Sequence, residues 1–455
     1  MLYPTELRAQ QRRSVPTPDS RCARNARTCT TTSIAIKSRW IDAKSTHDPP
    51  NKMPKPPAPQ PPMTPEAAQR AIDSHWPPTP IEQRPLDRCT GQILRQVVYA
   101  ERDNPPFDRV CMDGIAVKSA ALARGQRRFT VEAVQPAGAP PLELQDATNA
   151  IEVMTGAMLP GGTDCIVPME QYDFSDGVAS LEDGVEAKPY RNVQRRGEDS
   201  QPGIPMLTAG TRLGPPEIAV VASAGLASVA VSRQPKFLVV STGDELIEPG
   251  QPIAAHQIRR SNAYSIVAAL RTRGFEDIGS EHIADDEQTL TERLRRQLNE
   301  RDVLILSGGV SHGRFDLVPK VLQDIGIQQV FYQVAHRPGK PLWFGVGPRG
   351  QVVFGLPGNP VATLVCLIRY VIPGALAAMA ARPGLPEQVA LAGPFATGRS
   401  VSQFIPVSVN KAIATPRPTN GPGDFLGLTG TDGFVELPAH SGNFPTGFEA
   451  PFFRW

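Results

Sequence analysis

The stretch Asp302-Val-Leu-Ile-Leu-Ser-Gly-Gly-Val-Ser-His-Gly-Arg-Phe-Asp316 decides the fold. A short apolar strand runs into a glycine-rich turn, and a helix is expected to open at Asp316. Glycines behind a strand leave backbone N–H groups free to point at an anion, and a helix start adds the positive end of its dipole. Two similar turns follow, Arg337-Pro-Gly-Lys-Pro341 and Phe354-Gly-Leu-Pro-Gly-Asn-Pro360. Three such turns in one segment point to a site for a phosphorylated or otherwise anionic small molecule.

Around this stretch, from about 235 to 375, strands and helices alternate. Residues 237–240, 303–306 and 352–354 read as buried strands. Ser261 and Asn262 are expected to cap a helix over 263–272 that closes at Gly274. Residues 286–299 read as a charged amphipathic helix, and Asn359 with Pro360 caps an apolar helix running to Tyr370. Continuous apolar strands alternating with helices predict a mostly parallel, doubly wound sheet with helices on both faces. Ligands then sit beyond the carboxyl ends of the strands, where the three glycine-rich turns are expected.

The flanking sequence has another rhythm. Thr64-Pro-Glu-Ala-Ala-Gln reads as an N-cap, a proline at the first helical position and a helix. From 91 to 232 short alternating runs are broken by Gly, Pro and Asp, which predicts several small β units. Similar runs return after 380 as a small barrel-like β domain. The expected organisation is a multidomain α/β plus β protein. It comprises a basic proline-rich tail over 1–62, a β-rich region of two interleaved subdomains over 63–232, the doubly wound domain over 233–376, and the β domain over 377–455. The tail cannot bury a core and is expected to be disordered; a targeting segment, or a start at Met53 or Met63, are the other readings.

A chain of 455 residues exceeds one ordinary domain, and 40% hydrophobic content suffices for packed cores. The 48 prolines, roughly twice the usual share, predict many turns. A net charge of +2 argues against an overall electrostatic nucleic-acid binder. No run approaches the apolar length that spans a bilayer, so no membrane is expected. The cysteines (Cys22, Cys29, Cys89, Cys111, Cys165 and Cys366) are scattered without a CxxC pair, which fits reduced thiols in the cytoplasm.

Acidic residues recur at turns: Asp113 before Gly114, Asp199 after Gly197-Glu198, Glu245 after Thr242-Gly-Asp244, then Asp285 and Asp316. Each alone reads as an ordinary turn or N-cap acid. Together, near a phosphate-cradling turn, they suit Mg²⁺, which takes one or two carboxylates plus phosphate oxygens. Lys340, between glycine and proline, offers an anion a point charge or is simply a solvated loop lysine. Asn104-Pro-Pro-Phe-Asp-Arg109 is a stiff approach to the Asp113 turn, because paired prolines forbid helix.

These motifs, with Met112-Asp-Gly-Ile-Ala116, Met154-Thr-Gly-Ala157, Asn192-Val-Gln-Arg-Arg-Gly-Glu-Asp199, Ser241-Thr-Gly-Asp-Glu-Leu246, Ser307-Gly-Gly-Val-Ser311, Pro338-Gly-Lys-Pro341 and Leu356-Pro-Gly-Asn-Pro360, occur in register over about 64–375. In them the chain resembles the molybdopterin molybdenumtransferases, the MoeA family that includes the gephyrin E domain. The resemblance implies insertion of molybdate into adenylylated molybdopterin with release of AMP, assisted by Mg²⁺. It implies catalytic roles for Asp113, Asp199, Glu245, Asp285, Asp316 and Lys340, with Glu245, Asp285 and Asp316 as metal ligands. Pterin or phosphate contacts would come from Thr155, Thr242, Gly308, Gly309, Ser311, Gly313, Arg337, Pro341, Pro357, Gly358 and Asn359. It further implies a homodimer whose cleft joins the doubly wound domain of one subunit to the β-rich region of the other. A molybdopterin adenylyltransferase and molybdoenzyme acceptors are the expected partners.

The chain departs from the family pattern at several places. Gln333 stands where many relatives carry lysine, Ala362 where serine is usual, and His312 where a small or apolar residue is usual. Val401-Ser-Gln-Phe-Ile-Pro406 replaces a basic Arg-x-x-Phe-x-Arg pattern, and Gly421-Pro-Gly423 replaces Gly-Ser-Gly. Loss of cationic and hydroxyl donors is expected to weaken molybdate capture, with Arg399 and Arg417 as nearby replacements. Two other readings stay open: a molybdopterin-AMP-binding protein serving another pterin-processing step, and a non-catalytic pterin-binding scaffold.

Overall fold

The computed structural model describes residues 61–186, 188–309, 317–417, 419–421 and 423–455. The tail expected to be disordered lies outside them up to residue 60, as does the helix start expected at Asp316.

The α/β segment forms a six-stranded sheet in the order Ile278–Ile283, Phe237–Thr242, Val303–Ser307, Val352–Leu356, Trp343–Val346, Gln328–Tyr332. The first four strands are parallel; Trp343–Val346 runs against them, and Gln328–Tyr332, antiparallel to that strand, runs with them. Side chains along a strand alternate between faces, and here both faces are apolar. Phe237, Val239, Val303, Ile305, Val352 and Phe354 pack with the helices Ser261–Thr272 and Pro360–Ala378. Leu238, Val240, Leu304, Leu306 and Val353 pack with Glu287–Gln297 and Val318–Asp324. This is the doubly wound arrangement the apolar strands predict.

Helix starts follow local chemistry, with two corrections. Thr64 accepts from Ala67 N at 3.2 Å, and Asp286 from Thr289 N at 2.7 Å, so both act as N-caps. Asn359 accepts from Val361 N at 3.0 Å. Ser261 and Asn262, however, cap nothing: the helix begins at Ser261 behind Arg260, and the Asn262 amide is drawn to other partners. The apolar helix also continues past Tyr370 to Ala378, widening to a π turn over Leu367–Val371. Pro373, lacking an N–H, cannot donate to the carbonyl four residues back, and the widened turn precedes it. With 19 residues, Pro360–Ala378 is long and apolar enough to cross a membrane, contrary to the sequence expectation. It is 72% buried against the sheet, so its apolarity serves the core here.

Helix Pro65–His75 lies on the same face through Ala68 and Ile72, and the Trp76 ring sits tilted 5.7 Å from that of Phe354. The β-rich region has two parts. Ile81–Pro85 pairs with Ser228–Ser232 and Val98–Tyr99 with Pro205–Leu207, so sequence-distant arms share a core that includes Leu94, Val98, Leu213 and Val231. Between these arms lies a six-stranded sheet in the order Cys165–Pro168, Gly114–Val117, Ala150–Val153, Arg128–Gln135, Val178–Leu181, Tyr172–Ser175.

The C-terminal strands close into a small barrel. Ser402–Asn410 pairs with Ile413–Pro416 and Gly433–Leu437; Glu387–Leu391 pairs with Ile413–Pro416 and Glu449–Arg454; and Glu449–Arg454 pairs with Gly433–Leu437. Closure removes the exposed edges that open sheets carry. His336–Arg337 adds to the barrel as a short parallel partner of Ser402 and Gln403.

Phe354 is fully buried in the central sheet and touches the rings of Trp76 and Phe344. Phe354→Ala is expected to lower stability by about 3–5 kcal/mol, read by urea unfolding of the doubly wound core.

Candidate functional site

The carboxyl ends of the parallel strands converge. Phe237–Thr242 and Val303–Ser307 are neighbours, and the turns that follow them touch. A Cβ on Gly308 would fall 2.8 Å from Thr242 O, and one on Gly309 2.8 Å from Thr242 Oγ1. Both glycines have positive φ, +102° and +63°, so only glycine fits on either count. A Cβ on Gly358 would lie 3.9 Å from the Gly308 α-carbon, which puts the turn after Val352–Leu356 alongside. The Asn262 amide fastens the two turns, donating to Ser307 Oγ at 3.0 Å and Gly358 O at 2.9 Å. The single Thr363 Oγ1 proton is shared between Pro357 O at 2.5 Å and Asn359 O at 2.8 Å, holding the last turn against its helix.

These turns wall a cavity of about 470 Å³. Thr242, Glu245, Asn262, Gly308 and Gly358 line it, and Phe425 reaches in from the barrel side. Thr242 Oγ1 and Asn262 Oδ1 are buried without a hydrogen-bond partner among the described residues. Buried polar atoms are nearly always paired, so these two are suited to ligand groups. Asn359 lines two adjoining cavities, one of about 430 Å³ with Arg337, Lys340 and Pro341, the other of about 380 Å³ with Arg337, Gln403 and Thr419. Arg337 and Lys340 are exposed at this mouth.

The acidic residues fall into two sets. Asp285 N donates to Asp244 Oδ1 at 3.2 Å, joining the loops behind the first two parallel strands, while Glu245 lines the cavity. Asp316, Ser311 and Gly313 lie outside the described residues, and among those described no group of three or more His, Cys, Asp or Glu could hold a metal. Asp113 and Asp199 belong to the β-rich region. Asp113 Oδ1 receives Thr155 N at 2.6 Å and Thr155 Oγ1 at 2.7 Å. Those two bonds hold its carboxyl below the ordinary carboxylate range, the backbone one foremost. Asp199 accepts from Gln194 Nε2 at 2.9 Å, and its own N–H donates to Asn104 O at 2.8 Å. Neither acid, nor Thr155, borders the strand-end cavity.

Sequence reasoning passed over Asn262, Gln403 and Phe425 as site residues. Asn262 read as a helix cap, and only folding shows that its amide spans two turns. Gln403 and Phe425 come from the barrel, where no spacing ties them to the glycine turns. Of the proposed replacements, Arg417 Nε is turned to Ser408 Oγ at 3.3 Å; the Arg399 side chain lies outside what is described.

Comparison with known proteins matches this architecture. The family model for the MoeA N-terminal region, domains I and II, matches residues 63–225, and a probable molybdopterin binding domain matches 238–377. A molybdopterin molybdenumtransferase of Synechocystis is 35% identical over 395 residues, covering 86% of this chain and 99% of that protein. One from Haemophilus influenzae is 35% identical over 65% of this chain and 72% of its own length. A crystal structure of a molybdopterin biosynthesis MoeA protein from Pyrococcus horikoshii superposes with a TM-score of 0.69 at 29% identity, covering 86% of this chain and 99% of that one. A doubly wound domain of the molybdopterin-binding type, set between a β-rich region and a closed barrel, is therefore the class. The chain belongs to the MoeA family.

His336, buried under the Arg337–Pro341 turn, gives the site region a pH signature. Burial, foremost, holds its imidazole down to about 4 from the usual 6.5; Arg369 adds to this, while the bond to Pro338 O opposes it. On acidification the unfolded chain takes up the proton before the folded one. This contribution is therefore complete above pH 6.5 and is lost as pH falls toward 4, amounting to at most about 3 kcal/mol. The acid-induced drop in melting temperature across that window is expected to be smaller in His336→Phe than in the wild type, measured by thermal scans at matched pH.

Proposed function

We propose that this chain is a molybdopterin molybdenumtransferase, which inserts molybdate into adenylylated molybdopterin and releases AMP in molybdenum cofactor biosynthesis. The observation that carries this reading is the strand-end cavity. Two side-chain-free turns, Gly308-Gly309 and Gly358, stand beside orphaned Thr242 and Asn262 in a chain of the MoeA family. Backbone N–H groups at such turns bind phosphoryl oxygens without a charged side chain. Arg337 and Lys340 at the adjoining mouth supply positive charge for the remaining oxyanions.

Breaking the phosphoanhydride depends on neutralising charge and fixing the line of departure, more than on a strong nucleophile. Mg²⁺ is part of the proposal. Oxygen donors that border the cavity or adjoin its loops, Glu245 and Asp285, suit a hard cation, and Asp316 is the third residue proposed to hold it. When bound, such an ion offsets the negative charge of the pyrophosphate. Thr242 and Asn262 orient the ligand within the cavity, and Pro341, Pro357 and Asn359 shape its mouth.

Asp113, Thr155 and Asp199 act in this reading from the partner subunit of a homodimer, completing the cleft. The low proton affinity of Asp113 keeps it ionised for that role. The protein works in the cytoplasm, receiving its pterin from a molybdopterin adenylyltransferase and handing its product to molybdoenzymes.

The test supplies purified protein with Mg²⁺, adenylylated molybdopterin and low molybdate, and follows AMP and active cofactor together. Both products are expected. AMP alone would mark a different pterin-processing step, favoured by the missing basic pattern at 401–406; neither product, with tight pterin binding, would mark a scaffold. Asp113→Asn and Lys340→Ala, both at exposed positions, are each expected to cut turnover by about 100-fold or more at unchanged melting temperature. Mixing the two inactive variants and allowing subunits to exchange is expected to restore about a quarter of wild-type activity, because half the dimers then carry one intact shared site. No recovery despite exchange would mean that each subunit works alone.

A further inference from the structure

The cationic turn from Arg337 to Pro341 is closed at its base, where Val334 N donates to Lys340 O at 2.9 Å, but among the described residues its apex has no backbone bond of its own. Residues 338–341 form neither helix nor strand, and Pro338 and Pro341 have no N–H to give. The carbonyls at its apex therefore need donors from elsewhere. His336 Nδ1 lies 2.8 Å from Pro338 O, and the Cys366 thiol 3.8 Å from Gly339 O. A carbonyl oxygen only accepts, so Nδ1 carries the imidazole proton.

That imidazole is itself immobilised. His336 is 2% exposed, stacked 5.6 Å from the Tyr370 ring and edge-on to Phe404 at 4.9 Å. Tyr370 belongs to the helix behind the Asn359 cap, and Phe404 to a barrel strand. Gly339 has φ +102°, and a Cβ there would fall 2.7 Å from Cys366 Sγ and 2.9 Å from His336 Cε1, so the turn is pressed against both donors. His336 Nε2 has no partner among the described residues. A phenylalanine in this place would avoid that unpaired atom; what it could not do is donate to Pro338.

We infer that His336 is a positioning residue for the anion site: its Nδ1–H, anchored between the long helix and the barrel, fixes the 338–340 turn so that Arg337 and Lys340 meet the bound oxyanion. This rests on the reading of the strand-end cavities as a phosphate site. It also ties the barrel, whose own basic pattern is absent, to ligand capture through the ring contact of Phe404 with His336.

Two substitutions separate the donor from the ring. His336→Phe keeps the ring and removes the donor; His336→Asn loses the ring, but its amide nitrogen can take the place of Nδ1. Calorimetric titration with inorganic pyrophosphate reads the turn without needing turnover. One hydrogen bond's worth of ordering corresponds to an affinity loss of up to about tenfold in His336→Phe, with His336→Asn near wild type. In the molybdenum assay the same loss is expected in KM for the adenylylated pterin, with kcat little changed. Equal affinities in all three proteins would overturn the inference, as would a loss in His336→Asn with His336→Phe near wild type, which would make the ring's packing the cause. Wild-type protein that binds pyrophosphate but forms no cofactor would end the proposed reaction and leave this comparison intact. Wild-type protein that binds no pyrophosphate would end both.

Discussion

Thr242 and Gly308 meet at the carboxyl end of the central sheet with no space for a side chain between them, and the site depends on that contact. Adjacent parallel strands deliver both turns to one edge, and the missing Cβ atoms let one loop fold over the other's carbonyl. The cavity is what remains beyond this junction. The wall beside this junction is backbone, which does not reorganise as flexible side chains do. Asn262 extends the junction sideways by tying Ser307 to Gly358, so three loops become one surface.

The other units supply what a parallel sheet lacks. A closed barrel spends no edge on the neighbouring domain except the two residues where His336–Arg337 joins Ser402 and Gln403. Through that short ladder the barrel grips the cationic turn from outside, while the helix Pro360–Ala378 supports it from beneath through Cys366 and Tyr370. The β-rich region carries a different chemistry. Thr155 gives Asp113 two hydrogen bonds and so stabilises its charged form while leaving it exposed. An exposed carboxylate held in a fixed direction is suited to meet something brought to it from outside its own domain.

Much of the doubly wound domain was legible because its strands are apolar on both faces and its turns carry glycine where φ is positive. The motif spacing that marked the family was legible for the same reason: close backbone approach admits few residues. Asn262 misled because an asparagine in the first turn of a helix has the chemistry of a cap, and the competing acceptors come from segments 45 and 96 residues away. The long apolar helix misled in length, since nothing local says that a widened turn will absorb Pro373. His336 gave no local signal; its environment is assembled from a turn, a helix and a barrel strand that are far apart in sequence.

By itself, then, the order of residues determined the sheet type, the positions of the glycine-rich turns and the cations and acids near them in sequence. These follow from periodicity, glycine stereochemistry and the absence of proline N–H groups, all of which act over a few residues. Only the tertiary structure decided which turns share a wall, which amide bridges them, and that Asp113 and Asp199 stand away from the strand-end cavity within one chain. Those outcomes depend on hydrogen bonds and ring contacts between residues tens to hundreds of positions apart, which become neighbours only when the cores pack.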